Sequence, residues 1–345
     1  MFSLSIKEMT FFKLRYLLIG FILFFVAALV FIISGLANGL ANDNASSMKQ
    51  MEVNSFYLAK DSESRLDRSQ FTIEQADKAK DATAFGVQMQ TAEKGKDGKK
   101  IDSTFMTFEN QKLVPEVVEG KAPSKTNEVI VDKTMQEDGV KLGSTLYLPT
   151  VDKNVKVVGF TEHFTYSHTP VVVMKTAMWE KMGFGYNALV STDGTPKQTI
   201  KGDWSTKDDV VAQIPGYSAE QSSLNMMLSF LIVIAVFVLG AFFYIMTIQK
   251  VQQFGILKAI GAKSRSLISS TMLQVFVLSV TSIALAALFA YLLPALMPAG
   301  MPFVFDPAVV LTYSAALLAV SLFGALVSTI SIVKADPIQA MGRVE

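Results

Sequence analysis

The chain has 345 residues, of which 50% are hydrophobic, and its formal net charge at pH 7 is +1. A near-neutral chain offers no strongly basic surface, so no nucleic-acid partner is expected. The absence of cysteine excludes disulfides and thiol catalysis, and two histidines are too few for a multi-histidine metal cage.

Four long stretches contain no Asp, Glu, Lys or Arg, and each is long enough to cross a bilayer as a helix, which takes about 20 apolar residues. In the third stretch, three prolines at positions 294, 298 and 302 end the helix near Leu293. We therefore predict four transmembrane helices. The uncharged stretches are residues 16–41, 221–249, 266–305 and 307–333.

The first 15 residues mix Lys7, Glu8, Lys13 and Arg15 with large apolar side chains. This composition predicts a short interfacial helix, and its positive balance keeps the N-terminus in the cytoplasm. Within the first span, the G-x-x-x-G pair at positions 35 and 39 is typical of a site where a second helix approaches closely. Since residues 40–55 lack glycine and proline, the helix is expected to continue beyond the bilayer.

Residues 42–222 carry most of the chain's charge and show alternating or β-branched segments, which predicts a water-soluble α+β domain. Because this domain follows the first span, it is expected to be extracellular, inserted between helices 1 and 2. Strands are predicted at residues 70–73, 103–108, 128–131, 145–148, 155–160, 171–174 and 188–190. Short helices are predicted at residues 73–80, 133–138, 176–182 and 206–214.

Basic residues in the connecting segments predict the orientation of the remaining spans. The loop at 294–307 has no Lys or Arg and is placed outside, whereas Lys334 and Arg343 place the C-terminus inside. The predicted division is a cytoplasmic interfacial helix (1–15), span one (16–41), the extracellular domain (42–222), span two (223–249), a cytoplasmic coupling segment (250–266), span three (267–293), an extracellular loop (294–307), span four (308–333) and a cytoplasmic tail (334–345).

The segment between spans two and three holds four basic residues and no acid, which places it on the cytoplasmic side. Its apolar residues suggest a short amphipathic helix, and a charged loop that only fixes topology is the alternative. The sequence GILKAIGA, residues 255–262, resembles the segment that follows the second transmembrane helix in MacB/FtsX-type ABC permeases. In that family the segment lies against the ATPase subunit, and an acidic residue commonly stands where this chain has Gln253. The resemblance implies ATPase-coupling roles for Phe254, Gly255, Ile256, Leu257, Lys258 and Gly261.

The same family resemblance extends along the chain, since residues 127–160 are similar to the outer domain of MacB-type permeases. The sequence contains no P-loop, because Ala262 separates Gly261 from Lys263, and it contains no HExxH or G-x-S-x-G motif. The spans also lack the charged residues that ion-coupled transporters keep within the membrane. We therefore expect no enzyme activity and no ATP bound by this chain, with energy coming from a separate ATPase.

Both histidines lie in one stretch, residues 159–170, together with Phe164 and Tyr166. Imidazole and phenolate ligate haem iron and aromatic rings stack on porphyrin. An exposed strand–loop–strand with ordinary aromatic packing is the alternative. Residues 31–41 and 166–170 resemble the haem efflux permeases of the HrtB type, in which haem is taken from the outer leaflet at a dimer interface. The resemblance implies haem-binding candidates Met48, Met51, Tyr166, His168 and Tyr217. For the methionine pair, a helix–helix contact remains the alternative.

The functional hypothesis is a permease subunit of an ABC exporter that extracts haem from the bacterial cell membrane and expels it. Haem is then the transported substrate. Its expected partners are a second copy, paired through spans one and two, an HrtA-like ATPase on the cytoplasmic side, and membrane lipid. Three alternatives remain open: a MacB-like exporter of peptides or hydrophobic drugs, an FtsX-like regulator of a cell-wall hydrolase that transports nothing, and a sensor without an ATPase.

Overall fold

The computed structural model describes residues 8–297 and 301–333, and it divides into two compact units. The first unit comprises the chain up to Asn38 together with the chain from Ser223 onward, and the second unit is Gly39–Ser222. Two predicted segments lie partly outside the described residues, at positions 1–7 of the interfacial helix and 298–300 of the loop, and the predicted tail 334–345 lies wholly outside them.

Four of the described helices are long and apolar enough to cross a membrane. Their lipid-facing character is visible in large apolar side chains that remain exposed, such as Phe230, Phe237 and Phe323. Such exposure is costly in water but suits hydrocarbon, where a helix satisfies its own backbone hydrogen bonds. In chain order the helices are α1 (Lys13–Gln50), α2 (Ile73–Ala76), α3 (Thr176–Lys181), α4 (Lys207–Ala212), α5 (Tyr217–Ile248), α6 (Val251–Ala259), α7 (Ser264–Leu292) and α8 (Pro307–Val333).

The core of the first unit forms where α1, α5, α7 and α8 bury apolar side chains between them. The close neighbour of Gly35 in this chain is a side chain from a loop, and the approach of a helix to the glycine pair stays a prediction. A β-carbon at Gly35 would collide with the ring of Phe303, which belongs to the segment before α8 rather than to a helix. The backbone of that segment also reaches α1, because Val304 N–H donates to the carbonyl of Gly35 at 3.0 Å.

The second unit is built on a mixed sheet. The strands described are β1 (Ser55–Ala59), β2 (Thr83–Lys94), β3 (Lys100–Phe108), β4 (Glu119–Gly120), β5 (Glu128–Asp132), β6 (Thr145–Leu148), β7 (Lys153–Thr161), β8 (Thr165–Tyr166), β9 (Thr169–Met174), β10 (Ala188–Ser191) and β11 (Gly202–Thr206). The central strands run in the order β11-β1-β10-β2-β3-β9-β5-β7-β4. β3 pairs with β9, and β5 with β7, in parallel, whereas the other pairs are antiparallel.

Side-chain alternation gives this sheet two apolar faces. On β9, Val171 and Val173 point into one core, whereas Val172 and Met174 point into the other. The first core also receives the end of α1 and residues of α4, and the second receives α3 with Trp179. The end of α1 is therefore part of the second unit's packing, and its helix extends to Gln50 as expected.

Six of the predicted strands are present, but the strand predicted at residues 70–73 is wrong. Phe71 makes only an isolated bridge to Tyr186. The chain then turns into α2, because Thr72 and Gln75 form a reciprocal capping box that starts a helix. Helical turns occur in the other three predicted short-helix regions, at Lys133–Gln136, Thr176–Lys181 and Lys207–Ala212.

Candidate substrate site and coupling segment

Four of the five predicted haem-binding residues lie together in the second unit. Met48, Met51 and Tyr166 are buried members of one hydrophobic core, and the partly buried Tyr217 packs against it. The sulfur atoms come from the end of α1 and the residue beyond it, while the phenol comes from β8. Burial raises the pKa of the Tyr166 phenol above its ordinary value. The hydroxyl, which is neutral at physiological pH even at its ordinary pKa, is held more firmly in the neutral form by this burial.

A small cavity lies beside Tyr166. It has a volume of about 200 Å³ and is also lined by Asp67, Val87, Met89 and Pro215. Pockets that hold small-molecule ligands usually measure about 300–1,000 Å³. The cavity is thus too small to enclose a porphyrin, although it gives Tyr166 access to open space.

The turn that follows Tyr166 is conformationally strained. Ser167 and His168 have φ angles of 49° and 60°, which are left-handed values for residues other than glycine. They connect the antiparallel strands β8 and β9 as a two-residue hairpin loop. Backbone strain of this kind persists only where the surroundings hold it. Here the amide of Ser167 donates to the carbonyl of Asn44 at 2.7 Å, which ties the turn to α1.

The imidazole of His168 is held by two carboxylates from different helices. Nδ1 lies 2.7 Å from Oδ2 of Asp43 on α1, and Nε2 lies 3.0 and 3.1 Å from the two carboxylate oxygens of Glu220 on α5. Asn44 reinforces the arrangement, since its Nδ2 donates to Glu220 at 3.2 Å. Both ring nitrogens are therefore engaged in this conformation. His168 links the strained turn to the end of α1 and the start of α5.

The electrostatic balance at His168 favours the protonated ring. Partial burial lowers the pKa of His168, but the hydrogen bonds and charges of Asp43 and Glu220 outweigh that effect and raise it above 6.5. A raised pKa means that the folded state binds the proton more tightly than the unfolded chain does. The resulting stabilisation is fully present below about pH 6.5 and is lost as the pH rises through the pKa of the folded protein.

We expect replacement of His168 by glutamine to flatten the pH dependence of thermal stability. The wild-type chain should lose stability between pH 6.5 and alkaline pH by less than about 1 kcal/mol, or about 3 °C, because the site is partly solvated. Melting temperatures of the detergent-solubilised chain across this pH range would measure the loss of stability. His163→Gln is the matched control, since only the backbone carbonyl of His163 is used, by Gln50. Equal pH profiles for the two variants would contradict the prediction.

Sequence reasoning missed the residues that surround His168. Asp43, Asn44 and Glu220 are separated from it by 125, 124 and 52 positions along the chain, so no local motif connects them. One signal was available: Asp43 and Glu220 are the first carboxylates beyond the uncharged stretches that became α1 and α5. The domain that contains His168 begins at the end of α1 and finishes at the start of α5. Carboxylates at these two helix ends are therefore candidate partners for a histidine of that domain.

The predicted coupling segment forms a helix, α6, whose apolar residues divide into two sets. Phe254 is buried with Leu267 of α7, and Gly255 is buried beside it, whereas Ile256 and Ile260 are 54% and 76% exposed. Leu257 and Lys258 are half-buried, and Gly261 ends the helix with a φ of 95°. The buried set anchors α6 to its own unit. The exposed set leaves an apolar strip on the surface.

Comparison with known proteins places these features in a family. Residues 225–337, which include most of α5 and all of α6 to α8, match the FtsX-like permease C-terminal family. A protein of Staphylococcus haemolyticus that bears the name hemin transport system permease protein HrtB is 33% identical over 99% of this chain and 100% of its own length. A protein of the same name from Staphylococcus epidermidis is 32% identical over 99% of each chain.

Among solved structures, the extracellular domain of the ABC-type transporter YknZ from Gram-positive bacteria overlaps 41% of this chain and 84% of its own, with 19% identity and a TM-score of 0.30. The sequence relationship extends over nearly the whole polypeptide, including both the four apolar helices and the strand-rich unit. The chain is therefore a bacterial membrane protein that belongs to the FtsX-like family of ABC transporter permeases, in which it is similar to the HrtB hemin transport permeases.

Proposed function

We propose that this protein is the permease subunit of an ABC exporter that removes haem from the membrane and expels it. The observation that carries the proposal is the 32–33% identity, over 99% of the chain, to permeases named for hemin transport. A porphyrin is apolar and planar, so it partitions into lipid and can reach the protein from the side. Spans without charged residues suit such a path, because no aqueous pore through the membrane is needed.

In the proposed topology, the strand-rich unit is an extracellular domain inserted between the first two spans, and both termini are cytoplasmic. The basic residues that flank α6 support this orientation, since cytoplasmic loops carry an excess of Lys and Arg. A separate ATPase, similar to HrtA, would dock against α6. Ile256 and Ile260 supply an exposed apolar strip for that contact, and Phe254 transmits its displacement to α7 through Leu267.

Transport is proposed to follow a lever mechanism in a dimer that pairs through α1 and α5. ATP-driven closure of two ATPase subunits displaces α6, and the long helices carry the movement to the extracellular domains. α1 and α5 are suited to this role because each is one continuous helix of 38 and 32 residues. Residues of both helices contact the turn at His168, so movement of either helix would reach the substrate site.

The haem site is proposed to lie at Met48, Met51, Tyr166, His168 and Tyr217. A methionine thioether and a tyrosine oxygen are both known axial ligands of haem iron. The methionines and Tyr166 are buried in the conformation described, and the cavity beside Tyr166 is smaller than a porphyrin. Haem binding would therefore require this core to open, and a second copy of the chain would supply the opposite wall.

We expect haem to stimulate ATP hydrolysis by the permease–ATPase complex in lipid nanodiscs, and we expect the purified permease to show a Soret band when haem is added. Substitutions that remove the ligand atom but keep the volume should weaken haem binding by about tenfold, the loss that follows from about 1.4 kcal/mol. The variants are Met48→Leu, Met51→Leu, Tyr166→Phe, His168→Gln and Tyr217→Phe, measured by haem titration at the Soret band.

Matched controls exist in the other core of the same unit. Met135→Leu and Tyr186→Phe remove the same atoms from residues that do not line the proposed site. Equal losses in the controls and in the test variants would contradict the assignment of the site. A wild-type complex without a Soret band or haem stimulation would favour a peptide or drug exporter. Division defects on deletion, without sensitivity to haem, would favour regulation of a cell-wall hydrolase.

A further inference from the structure

A charged side chain is buried at the junction between α5 and α6. Lys250 is 1% exposed, and its Nζ lies 2.6 Å from Oε1 of Glu8, a residue that precedes α1. Nζ also donates to Oε1 of Gln274 on α7 at 2.5 Å. The ammonium group also lies over the ring of Tyr16 on α1, with 5.6 Å between Nζ and the ring centroid. The sequence placed Lys250 in a basic cytoplasmic segment and gave no reason for its side chain to be buried, so its burial needs a separate explanation.

The partners of Lys250 also bind one another. Gln274 Nε2 donates to Oε2 of Glu8 at 2.7 Å, and the hydroxyl of Tyr16 donates to Oε1 of Gln274 at 2.8 Å. The result is a closed polar network that connects the segment before α1, α1 itself, the α5–α6 junction and α7. All four residues belong to the first unit.

The energetics of such a network favour specificity rather than stability. Moving an ion pair out of water is costly, so apolar residues of the same size often stabilise a fold at least as well. Removing one partner, in contrast, leaves an uncompensated buried charge. Helix arrangements that separate Lys250 from Glu8 and Gln274 are therefore disfavoured, because they would leave the ammonium group buried without these partners. The network lies at the start of α6, the helix that the ATPase displaces in the proposed mechanism.

We propose that Lys250 is a positioning residue that fixes the segment before α1, the start of α6 and α7 as one rigid block. This inference rests on the proposed function, because the block would then transmit the displacement of α6 to both α1 and α7. Without the ion pair, α6 would keep its contact with α7 through Phe254 and Leu267 but could move while the segment before α1 stays in place. The segment before α1 would thus move together with α6 and α7, a role that the sequence did not indicate.

The test measures coupling in the full-length permease with its ATPase in nanodiscs. Lys250→Met and Glu8→Gln should each reduce the ratio of haem-stimulated to unstimulated ATP hydrolysis by at least about fivefold. Lys250→Arg should retain most of the ratio. The charge-exchanged variant E8K/K250E should regain much of it, because the Gln274 amide can rotate and still offer a donor to one partner and an acceptor to the other. Lys13→Met, which removes an exposed lysine at the same end of the unit, is the matched control.

A second measurement needs no haem and so separates this inference from the proposed function. Because the chain has no cysteine, spin labels can be placed at Phe11→Cys and Gln252→Cys alone. Both positions are exposed. The distance between the labels should be the same without nucleotide and with ATP and vanadate, and it should broaden or shift in Lys250→Met.

Each outcome bears on one of three statements: that the block is rigid, that the ion pair holds it, or that the complex transports haem. A wild-type distance that changes between the nucleotide states would overturn the rigid block, and so would a Lys250→Met variant that keeps the wild-type ratio and distance. An E8K/K250E variant that folds but resembles Lys250→Met would overturn the role of the pair. If Lys250→Met fails to fold, Glu8→Gln and E8K/K250E give the same decision. A wild-type complex that haem does not stimulate would remove the proposed function, and the distances alone would then decide whether the block is rigid.

Discussion

Replacing Asp132 with alanine is expected to lower the free energy of unfolding of the second unit by about 3 kcal/mol. Asp132 is fully buried at the end of β5. Its Oδ1 accepts hydrogen bonds from the amide and hydroxyl of Thr134 at 2.9 and 2.6 Å, and its Oδ2 accepts one from the amide of Phe164 at 2.7 Å. Bonds to a charged acceptor contribute about 1.5–3 kcal/mol each, and donors left unpaired inside a protein add a penalty.

The same substitution should loosen the candidate haem site. Phe164 is buried and leads directly into β8, and its carbonyl accepts from Val171 of β9 at 3.1 Å. Without Asp132 the backbone before Tyr166 loses the bond that fixes its entry into the hairpin. We therefore expect faster hydrogen exchange at residues 164–169 together with the lower stability.

Hydrogen–deuterium exchange and chemical unfolding of the detergent-solubilised chain would measure both effects. Asp102→Ala is the matched control, because Asp102 lies exposed on β3 and accepts one side-chain bond, from Thr91 at 2.9 Å. It should change stability by less than about 1 kcal/mol. Asp132→Asn, which keeps one acceptor oxygen, should fall between the two. A stable Asp132→Ala variant with unchanged exchange would show that the hairpin does not depend on this carboxylate.

The strands that sequence predicts well are those whose own residues favour the extended state. β5 and β9 are rich in valine and isoleucine, and both were predicted. β2 was missed because it contains Gly86 and a polar second half with Gln88, Gln90 and Glu93, none of which favours a strand. Its conformation is fixed by pairing with β3 over nine positions and with β10 and β6 at its ends. Local propensity cannot report such long-range pairing.

In the candidate site, too, features set by local sequence could be predicted and features set by long-range contacts could not. The predicted continuation of the first helix accounts for the placement of Met48, and Met48, Met51 and Tyr166 share one core. The engagement of His168 could not be predicted, because both carboxylates come from distant parts of the chain. The burial of Lys250 was hidden for a similar reason: its partners Glu8 and Gln274 are 242 and 24 positions away. A charge count alone treats every lysine as solvated.

The largest loss of stability is expected when Trp179 is replaced by alanine. The indole is fully buried on α3, packs edge-on against Phe184 and donates from Nε1 to the carbonyl of Gly185 at 3.0 Å. Truncation of a buried tryptophan costs about 3–5 kcal/mol, since transfer energy and packing are both lost. Trp204→Ala is the control, because Trp204 is half-buried and makes a comparable bond to Pro196 at 3.1 Å. Thermal unfolding followed by circular dichroism compares the two variants without depending on tryptophan fluorescence.

Gly86 leaves the space that the indole of Trp179 occupies against β2. A β-carbon at this position of β2 would lie 2.5 Å from Cε2 and Cζ2 of Trp179, so the strand can approach the ring only as glycine. Gly86→Ala alone should cost about 1–3 kcal/mol through overpacking. In the Trp179→Ala background, the same change meets open space, and its cost should nearly vanish. The double-mutant cycle should therefore give a coupling of at least about 1 kcal/mol. Additive costs would mean that the glycine serves the backbone of β2 and not the ring above it.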